Sequence, residues 1–439
     1  MCKKYFYISI LSIICCSCSK DKGVFLSEKP PEIQSVVTFG GSKNESARSV
    51  VATNDGGYAV LGFTQSNDGD ISISKPTEQY DFWVLKFNSK DELQWQKFYG
   101  GSQDDKGYKI IQTTDSGFAV VGYSKSSNGN VVSNEGFEDV WILKLNESGN
   151  IEWTTSTGFS GTDKGFSITQ TTDGGYFVGS ILDVTASGGL GNRKKRHAGG
   201  DFWGIKLSST GPVEWRKYFG GSNTDTCYDV IETIDGYIML GSSDSVDVDI
   251  SGNKGSYDFW VVKIDKTGKQ LWEKSLGGKE IDEAYQLIKT ADDHFLLVGE
   301  TRSSEGDITN QYGGADIWVV KMNMNGVVVW EKNYGGTSFD VARAVTIARD
   351  GSCLIAGSTR SADVDVSENK GLNDVWALKI NTSGALLWQK TVGGSDIDFA
   401  YDIAQINDKS IVIVGESNSS DKDVVTNRGF TDLLIVKLK

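Results

Sequence analysis

Short apolar runs alternate with clusters of turn-forming residues along most of the chain. DFWVVKID at 258–265 and QLWEKSL at 270–276 are two such runs, and the turn Asp265-Lys266-Thr267-Gly268 joins them. A second pair of runs, at 107–124, is joined by Asp115-Ser116-Gly117. Runs rich in β-branched and aromatic residues on both sides of a glycine-containing turn favour β-hairpins. No stretch keeps the apolar spacing of an amphipathic helix, so the pattern predicts strands throughout.

Two hairpins form a unit that the chain repeats about every 58 residues. Six copies carry a pair of tryptophans in their second hairpin: Trp83/Trp95, Trp141/Trp153, Trp203/Trp215, Trp260/Trp272, Trp318/Trp330 and Trp376/Trp388. The seven copies start at Phe39, Tyr99, Thr157, Phe219, Leu276, Tyr334 and Val392. Because each copy supplies four antiparallel strands, the sequence predicts an all-β fold, a seven-bladed β-propeller.

The two ends of the chain complement each other. The last copy ends with DLLIVKLK at 432–439, its third strand, and lacks the fourth strand. The first apolar run, Ile33–Phe39, is followed by Gly40-Gly41 and has the spacing of that missing strand. We therefore predict that it completes the last blade and closes the ring, which removes an open sheet edge.

Residues 1–18 have the features of a secretory signal. Lys3 and Lys4 precede an apolar stretch, Tyr5–Ile14, that is too short to span a membrane. The cysteines that follow make the segment resemble a bacterial lipoprotein signal, in which one cysteine becomes the acylated first residue. We predict that this residue is Cys18, with Cys16 as the alternative. Residues 19–32 are then interpreted as a flexible tether and residues 33–439 as the propeller.

The charged start of the tether resembles that of surface-exposed lipoproteins of the Bacteroidetes group. This resemblance implies an outer-membrane protein that is lipid-anchored and displayed at the cell surface. The formal net charge of −14 disfavours nucleic acid and anionic lipid as partners, so we expect membrane contact through the anchor only. Cys227 and Cys353 lie in different copies, and we expect small buried residues rather than a disulfide. A monomer is expected.

Acidic residues recur at three positions of the repeat. One set follows the Gly-Gly pair: Glu45, Asp105, Asp163, Asp225, Asp282, Asp340 and Asp398. A second lies in the turn of the first hairpin, as in Asp55 and Asp350, and a third precedes the tryptophan strand: Asp81, Asp139, Asp201, Asp258, Asp316, Asp374 and Asp432. Because a catalytic acid is normally unique, we interpret all three sets as structural residues that accept hydrogen bonds from backbone amides.

The loop between the hairpins carries oxygen-bearing side chains at alternate positions. In copy 6 these are Asp363, Asp365, Ser367 and Asn369, followed by Gly371 and Asp374. This spacing resembles a calcium-binding loop. The glycine that an EF-hand has at its sixth position is absent, and so interlocking Asx turns are the preferred interpretation. We expect no cofactor, with Ca²⁺ as the open alternative.

One position near the start of each first strand carries large side chains. It holds Arg48, Tyr108, Phe166, Tyr228, Tyr285, Arg343 and Tyr401, which we take as the second residue of each strand. If this strand is innermost, these residues surround one mouth of the central channel, close to the first acidic set. Aromatic rings and arginines there could stack on and hydrogen-bond a glycan. The alternative is packing between blades. The predicted ligand-binding residues are Arg48, Tyr108, Tyr228, Tyr285, Arg343 and Tyr401.

Copy 3 departs from the repeat in two places. Phe159 replaces the second glycine of the pair, and the loop between the hairpins is enlarged at 184–200. That loop contains Arg193–Arg196, a dense basic cluster. It is either a solvated loop tip or an electrostatic contact for an acidic partner.

The hairpin KIDKTGKQLWEKSLGG at 263–278 resembles the tryptophan-docking repeat of quinoprotein-type propellers. The resemblance implies that Trp95, Trp153, Trp215, Trp272, Trp330 and Trp388 lie on outermost strands and dock neighbouring blades. The mature chain has no adjacent cysteine pair and only two histidines, His197 and His294, so quinone-dependent oxidation is not expected. The whole unit is also similar to propeller repeats of Bacteroidetes lipoproteins.

Together these features predict a surface-anchored, non-catalytic propeller that binds a glycan or a protein partner. Two alternatives remain open at this point. One is a polysaccharide-acting glycoside hydrolase with paired carboxylates at the propeller mouth. The other is a scaffold in an outer-membrane complex.

Overall fold

The predicted hairpins form seven four-stranded antiparallel sheets, and each sheet is one blade of a propeller. The structure is a computed structural model that describes residues 26–71, 78–187 and 197–439. In blades 1 to 6 the four strands follow one another from the inside of the ring to its outer edge. The fold class predicted from the sequence is therefore confirmed.

The strands of blades 1 to 3 are β2 (Glu45–Ala52), β3 (Tyr58–Thr64), β4 (Asp81–Phe87) and β5 (Leu93–Tyr99); β6 (Asp105–Gln112), β7 (Phe118–Ser124), β8 (Asp139–Leu145) and β9 (Ile151–Thr157); and β10 (Lys164–Gln170), β11 (Tyr176–Asp183), β12 (Gly200–Leu207) and β13 (Val213–Phe219). Those of blades 4 and 5 are β14 (Asp225–Thr233), β15 (Gly236–Ser243), β16 (Asp258–Asp265) and β17 (Gln270–Leu276); and β18 (Asp282–Lys289), β19 (His294–Thr301), β20 (Asp316–Asn323) and β21 (Val328–Tyr334).

Blade 6 consists of β22 (Asp340–Ile347), β23 (Cys353–Thr359), β24 (Asp374–Ile380) and β25 (Leu386–Val392), and blade 7 of β26 (Asp398–Gln405), β27 (Ile411–Ser417), β28 (Asp432–Leu438) and β1 (Ile33–Phe39). One short helix, α1 (Val184–Ser187), occurs among the described residues, in the loop between β11 and β12. We call the face with the connectors between blades and the loops between second and third strands the upper face. The other face, with the hairpin turns, is the lower face.

The hydrophobic core lies between neighbouring blades. Ile238 and Leu240 of blade 4, for example, pack in one cluster with Leu297 and Trp318 of blade 5. The second and third strands are buried along nearly their whole length, which explains why they are near-continuous apolar runs. Burial of apolar surface between blades is the main source of stability in such an array.

The outer-strand tryptophans dock the turn of the next blade, as the resemblance to quinoprotein-type repeats implies. A Cβ atom on Gly149, in the β8–β9 turn, would lie 2.9 Å from the Trp95 ring. Gly149 also has a φ of 74°, so this turn requires glycine for its backbone as well as for the contact. The same arrangement joins Trp153 to Gly211, Trp215 to Gly268, Trp272 to Gly326 and Trp330 to Gly384.

The connector between blades 4 and 5 is held by carboxylates from three parts of the repeat. At the junction of blades 4 and 5, the Gly278 amide donates to Asp282 (2.7 Å) and the Gly277 amide donates to Asp307 (3.0 Å). A Cβ atom on Gly277 would lie 2.5 Å from Asp258 Oδ1 and 2.7 Å from Asp282 Oδ2. The first glycine of the pair is therefore required because two buried carboxylates lie against it. The acidic set that follows the Gly-Gly pair, here Asp282, and the set that precedes the tryptophan strand, here Asp258, have the structural role predicted for them.

The chain closes the ring as predicted. β1 pairs antiparallel with β28, from Ile33 opposite Leu438 to Phe39 opposite Leu433. The residues just before β1 also contact the propeller, since the Glu28 amide donates to the Leu387 carbonyl (3.1 Å). Leu387 lies at the lower end of β25. The described end of the segment interpreted as a tether, residues 26–32, therefore lies against the lower face.

Candidate ligand site at the central channel

The predicted ring residues line the central channel because every innermost strand contains a β-bulge at the same place. The register of β18 against β19 shifts between Ala284 and Gln286, which leaves Tyr285 as the extra residue. Bulges re-aim side chains and are frequent beside functional sites. The other innermost strands shift in the same way at Arg48, Tyr108, Phe166, Tyr228, Arg343 and Tyr401.

These seven side chains form what we call the channel ring. They surround a cavity of about 170 Å³ that is also lined by Lys109, Asp229 and Gln286. One sequence expectation needs correction: the ring residues are the fourth residues of most of the inner strands, not the second, because the strands begin at the acid that follows the connector. The ring therefore lies deeper in the channel than the position of a second residue would place it.

The ring members contact one another around the channel. The ring centroids of Phe166 lie 5.1 Å from Tyr108 and 5.3 Å from Tyr228, and Tyr228 lies 5.3 Å from Tyr285. The Arg343 guanidinium lies 3.7 Å from the Tyr285 ring centroid, and Arg48 lies 3.8 Å from that of Tyr401. Cation–π contacts of this kind hold a guanidinium in place while its edge can still donate hydrogen bonds. The same side chains therefore both pack against neighbouring blades and line the channel.

Arg343 is the cation of the ring that has no described carboxylate within the 4 Å of an ion pair. Arg48, by contrast, lies 3.5 Å from Glu416. Burial lowers the pKa of Arg343, but nearby Tyr285 and Glu300 more than offset that effect, so its pKa is raised and the side chain stays charged. A charged guanidinium beside a cavity and without an ion pair is suited to bind an anionic ligand group.

The hydroxyls of Tyr285 and Tyr401 are held on the side of the upper face. Tyr285 donates to Glu283 (2.9 Å) and lies 3.5 Å from Glu300, and Tyr401 donates to Glu416 (2.9 Å). Burial raises the pKa of Tyr401 to about 12 and that of Glu300 above its ordinary value. The hydroxyls therefore remain protonated at neutral pH and serve as hydrogen-bond donors.

A charged layer lies directly beyond the ring. Lys109 reaches across the channel to Asp402 (3.1 Å), which also accepts from Ser49 (2.7 Å). Asp229 accepts from Ser167 (2.5 Å) and from the Leu287 amide (3.0 Å). The Lys109–Asp402 contact ties two non-adjacent blades together across the channel, and the other bonds join neighbouring blades. Both carboxylates already have hydrogen-bond donors. They provide a rigid floor for the ring.

The first acidic set does not lie at the channel mouth, and this expectation was wrong. Asp282, for example, is fully buried, and its carboxylate accepts from Thr301, Ser303 (2.9 Å) and the Gly278 amide. Since the inner strand twists between this residue and the ring residue, the acid faces the connector and not the channel. Asp105, Asp225, Asp340 and Asp398 are bound in the same way.

The calcium-like loops fasten the connectors. Asp363 accepts from the Thr337 amide (2.8 Å), and Asp365 accepts from the Gly335 amide (3.3 Å). Asn369 accepts from the Gly371 amide (2.8 Å), which is an Asx turn. Among the described residues, no group of three or more His, Cys, Asp or Glu side chains is arranged to hold a metal ion.

Several sequence predictions fall outside the described residues. Cys18, its alternative Cys16 and the basic cluster Arg193–Arg196 are among them. Cys227 and Cys353 are described, and both are buried free thiols, as predicted. In the described part of the chain, no helix has both the length and the apolar composition needed to cross a membrane.

Sequence reasoning missed the glutamates and lysines that support the ring. Glu283, Glu300 and Glu416 orient the tyrosines and arginines, and the polar layer of Lys109 and its partners follows the ring residues by one position. The available signal was a polar residue directly after the ring residue. It is present in six of the seven inner strands, as Ser49, Lys109, Ser167, Asp229, Gln286 and Asp402.

The fold and its channel define the molecule as a seven-bladed β-propeller of the architecture shared by WD40 domains. Among solved structures, it is similar to the WD40 propeller domain of Doa1, with a TM-score of 0.53 and 11% identity over 93% of this chain and 97% of that chain. It is also similar to the WD40 domain of Pan2 from Neurospora crassa, with a TM-score of 0.50 and 9% identity over 94% of this chain and 97% of that chain.

At these identities the likeness concerns the fold alone. No protein-family model matches the chain. No curated protein matches it either. The quinoprotein-type and Bacteroidetes resemblance therefore rests on the repeat motif, while the propeller architecture rests on the structure.

Proposed function

We propose that the protein is a lipid-anchored, non-catalytic binding propeller whose ligand is a glycan with a carboxylate group, bound at the channel ring. The observation that carries this proposal is the Arg343 guanidinium, which is held against the Tyr285 ring at 3.7 Å and has no carboxylate partner among the described residues. A uronic-acid residue offers what this site lacks, namely an anion for the guanidinium and an apolar ring face for the tyrosines.

The size of the site favours one sugar residue at the ring rather than a buried chain. The cavity of about 170 Å³ has room for a single residue, and the rest of a glycan would extend over the upper face. The tyrosine hydroxyls and the glutamates above them supply further hydrogen-bonding groups. The carboxylates around the ring already have partners, which supports binding rather than acid–base catalysis.

Anchoring at the amino terminus fits the direction in which the chain enters the propeller. Residues 28–32 lie at the lower face, where Glu32 and Lys439 exchange backbone hydrogen bonds (2.9 Å). An anchor that precedes them would turn the lower face toward the membrane and the upper face away from it. A Cys18→Ala variant should leave the membrane fraction for the soluble fraction. If it stays acylated while Cys16→Ala does not, the anchor is Cys16.

An array of neutral and carboxylated oligosaccharides, probed with the chain from residue 24 onward, tests the ligand class. That segment contains all seven blades and the closing strand. We expect binding to uronic-acid glycans, weakened about tenfold or more by Arg343→Ala and by Tyr285→Ala. The matched controls Arg216→Ala and Tyr312→Ala, which lie away from the channel, should bind as the unmodified chain does.

Two results would contradict the proposal. The first is normal binding by both ring variants. The second is a loss of binding that is accompanied by a loss of several kcal/mol of folding stability, as truncation of a buried aromatic residue produces, because the ring would then be a packing element only.

A further inference from the structure

The docking slot of Trp388 differs from the other slots because the closing blade has no turn between its third and fourth strands. In blades 2 to 6 that turn covers the outer-strand tryptophan of the preceding blade. In blade 7 the third strand, β28, pairs instead with β1. Residues 28–32 and Lys439 occupy the place of the turn. We call the resulting cavity the closure slot.

A neighbouring slot offers an internal comparison. Between blades 5 and 6, a cavity of about 280 Å³ is lined by Ala291, Gly351, Trp330 and the Asn381–Thr382 turn. The closure slot, between blades 6 and 7, has a volume of about 490 Å³. The equivalent residues, 58 positions further along the chain, are Arg349, Lys409, Trp388 and Lys439. The closure slot therefore has a larger volume and more basic side chains than the equivalent cavity between blades 5 and 6.

The floor of the closure slot is apolar. Trp388, Leu354, Ile411 and Ala348 form it, and all four are buried, with Trp388 only 4% exposed. The rim contains Lys29, Arg349, Lys379, Lys409 and Lys439. Five cations around one cavity are unusual in a chain whose formal net charge is −14.

Three of these cations are already paired, and two are not. Lys29 pairs with Glu32, Lys379 with Glu28 and Asp350, and Lys439 with Asp408. The Arg349 guanidinium donates to the neutral amide oxygen of Asn407 (2.6 Å), and no described carboxylate forms an ion pair with Arg349 or Lys409. Arg349 and Lys409 thus remain to neutralise an anion at the mouth of an apolar cavity.

We propose that the closure slot binds small amphiphilic anions, with the apolar part against Trp388, Leu354 and Ile411 and the acidic head group between Arg349 and Lys409. A carboxylate or a phosphate monoester would satisfy these two side chains. The apolar part contributes through its removal from water. This site is separate from the channel ring and does not depend on the function proposed for it.

Calorimetric titration of the chain from residue 24 onward tests the proposal. The probes are octanoate and octyl phosphate below their micellar concentrations, with 1-octanol as the tail alone and inorganic phosphate as the head group alone. We expect at least one anionic amphiphile to bind about tenfold or more tightly than either fragment. Lys409→Gly and Arg349→Ala, which install the residues of the neighbouring slot, should each weaken that binding about tenfold.

The controls separate a built site from general charge effects. Lys90→Gly removes a lysine from another turn of the lower face, and Arg343→Ala removes the ring cation; both should leave amphiphile binding unchanged. The proposal is overturned if neither anionic amphiphile binds, or if the two slot variants bind as well as the unmodified chain. Inorganic phosphate that binds as tightly as octyl phosphate would show an adventitious ion only.

Discussion

Gly277 lies against two carboxylates, and the same contact is repeated at every junction of the ring. Asp258 and Asp282 both approach this glycine, and both are buried. Burial raises the pKa of Asp258 to about 7, and the charge of Asp282 adds to the effect. A pair of buried carboxylates beside one glycine is easier to hold with one proton than with none.

The pH dependence of stability follows from these pairs. Burial raises the pKa values of Asp225, Asp258 and Asp316 to about 7, above the ordinary value of 3.8. A folded-state pKa above the unfolded-state value means that the stabilising contribution is complete below about pH 4 and is lost as the pH rises through about 7. We therefore predict a higher free energy of urea unfolding at pH 5 than at pH 8. Equal values, or a higher value at pH 8, would contradict this assignment.

Asp316→Asn isolates one pair, because the amide resembles the protonated acid. This variant should lose part of the difference in unfolding free energy between pH 5 and pH 8, whereas Asp265→Asn, in an exposed turn, should keep it.

In stronger acid the free energy of unfolding should instead fall as the pH falls. Burial alone would raise the pKa of Asp115, but hydrogen bonds from Lys144 and Thr113 lower it to about 2. That contribution is present above the ordinary value and is lost as the pH falls toward 2.

At the scale of strands and loops, periodicity predicted most of what the structure contains. The spacing of tryptophans and glycines was sufficient to place every blade, and it was sufficient to select the ring positions. The bulges could not be predicted, because a bulge depends on how two strands pair and not on a residue type. Because the bulge was not predicted, Asp282 was expected beside the channel ring. In the structure its carboxylate instead accepts from the Gly278 amide.

The loops between second and third strands have the spacing of a calcium-binding motif but hold backbone amides instead. In copy 6 the spacing of Asp363, Asp365 and Asp374 resembles a calcium loop, yet each carboxylate accepts from a backbone amide. Calcium binding and the acceptance of hydrogen bonds from backbone amides both require oxygen-bearing side chains at alternate positions of the loop. The sequence alone could not distinguish them, because the donors to Asp363 and Asp365 belong to the connector, which is distant in the sequence.

We predict that Asp363→Ala destabilises the propeller by about 1–3 kcal/mol, since the Thr337 amide and hydroxyl lose their acceptor. Urea unfolding measures this change. EDTA and added Ca²⁺ should leave the midpoint of the unmodified chain unaltered. A midpoint that falls in EDTA and recovers in Ca²⁺ would instead assign the loop to metal binding, because a ligand that binds only the folded state raises its stability.

The whole molecule is organised by its closure. β1 supplies the fourth strand of blade 7, and residues 28–32 replace the missing turn beside Trp388. The same event that joins the two ends of the chain therefore also creates the closure slot. It also places the amino-terminal entry on the lower face, while the tyrosine hydroxyls of the ring point toward the upper face.

Deletion of residues 33–39 should destabilise the entire ring by about 3 kcal/mol or more, because it removes a strand's hydrogen bonds and exposes the edge of β28. Thermal unfolding measures the effect. Deletion of residues 1–25 is the matched control and should leave the melting temperature unchanged. An unchanged melting temperature after deletion of 33–39 would be incompatible with closure by this strand.

The central functional claim concerns one contact, between the Arg343 guanidinium and a carboxylate of the ligand. A double-mutant cycle tests it most directly, with the unmodified chain and Arg343→Ala each titrated with the best-binding uronic-acid oligosaccharide and with its carboxyl-reduced counterpart. We predict that reduction of the carboxyl group weakens binding to the unmodified chain about tenfold or more and has little effect on Arg343→Ala. If both proteins lose the same factor of affinity, the carboxylate does not bind Arg343, and the account of the channel ring as the ligand site is wrong.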